Sequence, residues 1–360
     1  MQSNQNIKNI KPPSPFLRYI HNFRGIAILV IVMGHVIVYL DWSSSPLSYA
    51  ICKALFKDGT VYFVFIAGFL FQYLSRKYVY SKYLNKKLNY VVVPYLLISI
   101  PAIAYCVLSD KISSDAWFEN VFPSWTLPKQ IITLYATGAH LYPLWFIPMV
   151  IILYLISPLL ISLDNHPKLY WILVMLIPLC FIFPRPPINA IWQSFLYFLP
   201  AYILGMLASH YLKNVLLLTR RFLLPLSLIS FGLFCLYAYQ IFSGVSLDDT
   251  SLLVNTFNRE IQCFLLIYAL WYFDKKLSTR SHSILAFFAN ISFGLYFVHS
   301  YVISIYFKLL TKLPIIDALL ENGNFAIFIF TSLLVIFISS LCVLIPQKYL
   351  GKNSRYLIGC

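Results

Sequence analysis

The chain has 360 residues, of which 60% are hydrophobic, 18% aromatic and only 11% charged, and its mean hydropathy is +0.76. Globular domains carry about 25% charged and about 45–50% apolar residues, so this composition excludes a soluble enzyme and places the chain in a bilayer. The 27 Lys and Arg against 12 Asp and Glu give a net charge of +15; the basic residues fall between long apolar runs, which points to an anionic membrane face or an anionic substrate there, and away from nucleic acid.

A spanning helix needs about 20 mainly apolar residues. Ten segments qualify in chain order: 19–40, 58–75, 88–109, 143–162, 167–184, 190–209, 221–242, 254–273, 284–308 and 325–345. The expectation is therefore an all-α, polytopic integral membrane protein of about ten transmembrane helices. Residues 1–18 are polar and Pro-containing, unlike a cleaved signal peptide, and form the expected N-terminal tail. The membrane domain runs over 19–345, and 346–360 form a short basic C-terminal tail. Segment 167–184 is short for a span, and 110–142, the longest exported connection, has room for a re-entrant segment.

Cytoplasmic loops retain Lys and Arg. With the N-terminus inside, ten spans put both termini in the cytoplasm, with 19 basic residues inside and 8 outside, whereas 2 acidic residues fall inside and 10 outside. The seven cysteines are scattered singly with no CxxC spacing, which favours packing over disulfides or metal binding. No HExxH, acidic cluster or Gly-rich phosphate loop is present, so neither a metal, a bound cofactor nor an ATP-driven cycle is expected.

Ionisable groups within a span are costly and mark function. In the first span Arg24 precedes His35 by eleven residues, three turns plus about 20°, so both share one helix face about 16 Å apart, with Ile28 and Ile31 between them. This places Arg24 at the cytoplasmic mouth and His35 near the bilayer midplane. A neutral imidazole accepts a proton from a hydroxyl and passes it on, and a guanidinium suits phosphate. The plainer alternative makes His35 a core histidine and Arg24 a snorkelling anchor.

In the ninth span Ser292, Tyr296 and His299 recur at i, i+4 and i+7 on one face, as interhelical hydrogen-bonding groups or as the lining of an acceptor path. Trp145 opens the fourth span, where aromatic belts form. Arg259 with Glu260 reads as a local pair or interfacial anchor, and His140, His166, His210 and His282 carry no assignable role.

Four segments resemble, in order, the motifs of acyltransferase family 3, whose members O-acylate glycans and related acceptors. They are Arg24-Gly25-Ile26-Ala27 followed by His35; Phe63-Val-Phe-Ile-Ala67-Gly-Phe-Leu; Leu144-Trp145-Phe-Ile with Tyr154-Leu-Ile-Ser-Pro158; and Ile291-Ser292-Phe-Gly-Leu-Tyr296-Phe-Val-His299. The likeness spans about 16–345. It departs from the family where Lys86-Lys87-Leu-Asn89 replaces an Arg-x-Arg pair, and where Asn22 replaces a common acid.

The resemblance implies a multi-pass enzyme of a bacterial inner membrane. Its co-substrate would be acyl-CoA, acetyl-CoA in the first place, on the cytoplasmic side. Its acceptor would be a hydroxyl of a cell-surface polysaccharide or of a polyprenyl-linked glycan precursor, with membrane lipids and polysaccharide-biosynthesis proteins as partners. His35 and Arg24 become the catalytic candidates; Lys86, Lys87, Trp145, Ser292, Tyr296 and His299 become substrate-binding candidates. A transporter or flippase that moves a glycan or acyl intermediate without chemistry is the alternative, and a structural partner of a polysaccharide synthase a third.

Overall fold

An apolar chain in lipid has no water to satisfy its backbone and closes its N–H and C=O groups on themselves as helix. The computed structural model describes residues 17–109, 111–112, 116–182, 189–244, 249–274, 276, 278–310 and 323–360, and every regular element among them is helical. The expected tail 1–18, except its last two residues, lies outside the described residues, as do 183–184 of the expected fifth span.

Among the described residues, seven segments are long and apolar enough to cross a membrane. The first, Arg18–Tyr39, contains α1 (Arg18–Val36) and a closing 3-10 turn. The second, Pro46–Tyr73, joins α2 (Pro46–Phe56) to α3 (Thr60–Tyr73) through an elbow at Lys57–Gly59, so it starts well before the expected residue 58. In the third, Tyr80–Ser109, α4 (Tyr80–Lys87) runs through a π turn into α5 (Val93–Ser109).

After a short α6 (Ala116–Val121), α7 (Leu127–Thr137) meets the apolar segment Tyr142–Leu155 at 74°, a broken span or re-entrant loop that matches the space foreseen in 110–142. That segment holds α8 (Phe146–Leu155); the chain breaks at Ile156 before α9 (Ser157–Asn165), so 143–162 is not one straight helix. The remaining four spans lie in α11 (Ile191–His210), α13 (Leu223–Phe242), α15 (Thr279–Leu310) and α16 (Phe325–Leu350), the last running on toward α17 (Ser354–Ile358).

Of the ten expected spans, seven, or eight with the bent pair, are long, apolar helices among the described residues. Segment 167–184 opens as a 3-10 turn over Pro167–Ile172 and continues as only a short α10 (Leu173–Ile182). Segment 254–273 is a full helix, α14 (Asp249–Phe273), but its Asn255, Asn258, Arg259 and Glu260 keep it out of the apolar set. A short α12 (Leu212–Arg221) with two terminal arginines links α11 to α13.

The packing is that of a lipid-immersed bundle. On α16 the hydroxyl residues Thr331, Ser332, Ser339 and Ser340 are buried while Phe330, Leu333 and Phe337 face outward, at 60% exposure or more. Helices in lipid gain nothing by hiding apolar side chains from one another, so small and hydroxylated residues take the contacts. The α3–α11 crossing is closed by glycines: a Cβ on Gly68 would run into the Tyr202 carbonyl, and one on Gly205 into the Phe65 carbonyl. Gly25 plays the same part against Leu285 and Ala289 where α1 lies on α15. The six described cysteines, Cys52, Cys106, Cys235, Cys263, Cys342 and Cys360, are free thiols.

Candidate active site

The long α1–α15 contact positions the polar groups. Near one end Arg24 donates from Nη2 to the Ala289 carbonyl at 2.7 Å; near the other the His35 ring lies 5.2 Å, centroid to centroid, from His299. Because 24 meets 289 and 35 meets 299, the two helices run parallel, as the first and ninth expected spans must if both cross in the same sense. The shared face foreseen for Arg24 and His35 is therefore real, and buried Ile28 and Ile31 lie between them.

Along the first segment the two residues sit toward opposite ends. Arg24 stands six residues inside one end of the 22-residue segment Arg18–Tyr39, and His35 four residues from the other. At 1.5 Å per residue His35 is about 6 Å from its end of the segment and Arg24 about 9 Å from the other.

The Arg24 end is a network of polar groups. Ser292 Oγ donates to the same Ala289 carbonyl at 2.9 Å, so Ser292 and Arg24 converge on one oxygen. His21 Nδ1 lies 3.5 Å from Arg24 Nη2, while Arg24 Nε is buried without a hydrogen-bond partner. Asn22 contacts His282 Nδ1 at 3.0 Å through its amide nitrogen, and His282 Nε2 contacts the Asp274 carbonyl at 2.8 Å. Since a carbonyl only accepts, His282 carries its proton on Nε2 and accepts from Asn22. His282 is thus a structural clamp between α1 and the start of α15.

At the other end His299 is fully buried, and its Nδ1 lies 2.9 Å from the Leu295 carbonyl. That nitrogen must donate, which leaves Nε2 as the acceptor, 3.3 Å from Ser300 Oγ. Tyr142 stands edge-on to His35 at 5.3 Å, and Tyr296, in ring contact with His299 at 6.2 Å, donates to the Pro143 carbonyl. Of the ninth-span stripe, then, only Tyr296 bonds across to another element, whereas Ser292 and His299 bond within α15.

His35 opens onto a cleft of about 160 Å³ between α1 and the α2–α3 elbow, lined also by Tyr142, Tyr49, Lys53, Lys57 and Asp58. The elbow is held in an unusual shape: Asp58 has φ +65°, a left-handed conformation that Asp tolerates better than most residues. Asn255 Nδ2 donates to Asp58 Oδ2 at 2.7 Å. Arg259, 3% exposed, donates from Nε to the Lys57 carbonyl, from Nη2 to the Ala54 carbonyl, and from Nη1 to Tyr62 Oη and Gln262 Oε1, all within 3.0 Å. The expectation of an interfacial anchor fails for Arg259, because carbonyls exposed by the break between α2 and α3 draw its guanidinium inward.

Among the described residues, no hydrogen bond or ring contact joins Lys86, Lys87 or Trp145 to Arg24. Lys87 Nζ sits over the rings of Tyr154 at 4.7 Å and Tyr83 at 5.3 Å, and Lys86 is exposed at the end of α4. Trp145 is buried and stacked on Phe198 at 5.5 Å, so it belongs to the core and not to an interfacial belt. His210, given no role from sequence, pairs with Asp164 at 2.7 Å, and Tyr170 donates to the same carboxylate at 2.8 Å. Sequence reasoning missed Tyr49, Lys53, Lys57 and Asp58. The signal was the four-residue spacing of Tyr49, Lys53 and Lys57, which puts them on one face of α2.

A family model described as an acyltransferase domain matches residues 17–344. No curated protein and no solved structure matches the chain. The matched region contains both ends of the α1–α15 contact, and the chain belongs to acyltransferase family 3, as a multi-pass membrane acyltransferase.

Proposed function

We propose that the enzyme moves an acyl group, acetyl in the first place, from acyl-CoA to a hydroxyl of a cell-surface glycan or its lipid-linked precursor, in a bacterial inner membrane with both termini cytoplasmic. The observation that carries this reading is the parallel seating of Arg24 and His35 on one partner helix, Arg24 at Ala289 and His35 at His299. A permanent cation deep on one side and an imidazole at an open cleft on the other suit an anionic donor and a hydroxylic acceptor that approach from opposite faces. Arg24 and the exposed Lys86 hold the phosphates of CoA, and its thin pantetheine arm carries the thioester toward His35.

His35 takes the proton of the acceptor hydroxyl as the oxygen attacks the thioester carbonyl; the C–O bond forms, the C–S bond breaks, and the departing thiolate recovers the proton from the imidazolium. His299, its tautomer set by the Leu295 carbonyl and its Nε2 facing Ser300 Oγ, packs against the His35 ring. Radiolabelled acetyl-CoA supplied to inverted vesicles tests the reading. Label entering glycan is the expected result; glycan translocated without label overturns it in favour of a transporter.

A further inference from the structure

The cleft beside His35, on the face of the bundle opposite the start of α1, is lined by two lysines and one aspartate. Lys53 and Lys57 are one turn apart and both line it. Lys53 Nζ donates to Tyr49 Oη at 2.8 Å and lies over the Tyr49 ring at 4.8 Å. The ammonium is thereby held at the cleft wall with one of its three protons engaged by Tyr49. The acid in the cleft, Asp58, accepts from Asn255 through Oδ2 and offsets one of the two lysines, while the guanidinium of Arg259 stands behind the same elbow and keeps the local balance positive. Of the eight basic residues that charge counting puts on the exported side, three are Lys53, Lys57 and Arg259. Lipid has no use for such a cluster away from the cytoplasmic face. Compact ammonium groups beside a polar cleft suit a phosphate or carboxylate oxygen.

We infer that this cleft is the acceptor subsite for a sugar bearing an anionic group, a phosphate or carboxylate, and that Lys53 is the residue that reads the charge while His35 meets the neighbouring hydroxyl. The inference rests on the reading of His35 as the base toward the acceptor. Lys57 supplies a second cation at the cleft rim, and Arg259 is a positioning residue that acts through the elbow.

Binding is measured by isothermal titration on the full chain in nanodiscs of neutral lipid, with glucose, glucuronic acid and glucose 1-phosphate as probes. The expected result is that at least one charged sugar binds about tenfold or more tightly than glucose, that K53Q abolishes the difference, and that K53R retains it. The two charged probes separate carboxylate from phosphate. Loss of the preference only in the K53Q/K57Q double variant also supports the subsite and assigns the reading to both lysines. Equal affinity for all three sugars, including no measurable binding, overturns the inference, as does a preference that survives in the double variant. Binding needs no donor, so a chain that prefers charged sugars yet transfers no label faults the acyltransferase reading and leaves the anion subsite standing.

Discussion

Replacing Arg259 by Gln tests whether the elbow beside His35 is held from α14. Arg259 makes three hydrogen bonds to the α2–α3 segment, at the Lys57 and Ala54 carbonyls and Tyr62 Oη, and a fourth to Gln262 on its own helix. A glutamine amide is too short to serve both carbonyls, and Asn255 Nδ2, 3.5 Å from the Lys57 oxygen, is a weak substitute already committed to Asp58. Interhelical hydrogen bonds in membranes average about 0.6 kcal/mol and reach about 1.7, while bonds from charged donors run to about 1.5–3 kcal/mol. Three cross-segment bonds therefore give a loss of about 2–5 kcal/mol for R259Q. Equilibrium unfolding of the purified chain in mixed SDS micelles reads this directly. Lysine can reach one carbonyl and not the fork of acceptors, so R259K recovers less than half. A shift below about 0.5 kcal/mol for R259Q, or full recovery by R259K, would refute the assignment of Arg259 to the elbow.

Three further outcomes follow from the same contacts. Gly25→Ala drives a methyl into the Leu285 carbonyl and is expected to cost about 1–3 kcal/mol, with activity falling further than in Gly232→Ala, where a Cβ meets nothing within 4 Å; equal activity in the two variants counts against a tight α1–α15 seam. His299→Phe keeps ring volume and removes the acceptor nitrogen, so kcat is expected to fall about a hundredfold with KM for acyl-CoA unchanged; a change confined to KM would contradict its place beside His35. Tyr296→Phe removes the bond to the Pro143 carbonyl and is expected to lower stability by about 1 kcal/mol in the same unfolding assay, and an unchanged midpoint would mean the bond contributes nothing.

The parts of the site legible in the sequence are those where one polar residue interrupts an apolar run. Arg24 and His35 stand out for that reason, and helical period alone puts them on one face; Ser292, Tyr296 and His299 stand out likewise, and the structure brings that stripe against α1. Two features escaped. Not all of the expected spans are continuous helices, because breaks at Ile156 and over Pro167–Ile172 barely alter hydropathy. The cleft was hidden because Lys53, Lys57 and Asp58 look like loop charges until α2 folds back on α1, and because Arg259 meets them across some 200 residues of chain.

The central claim is that His35 removes the acceptor proton. Its most direct measurement is transfer of label from radiolabelled acetyl-CoA to glycan by His35→Ala, compared with wild type at matched amounts of folded, membrane-inserted chain. General-base loss predicts a fall of about 10²–10⁴-fold in the rate of transfer, with retention of the labelled donor in binding. Transfer at the wild-type rate by the folded variant would contradict the account.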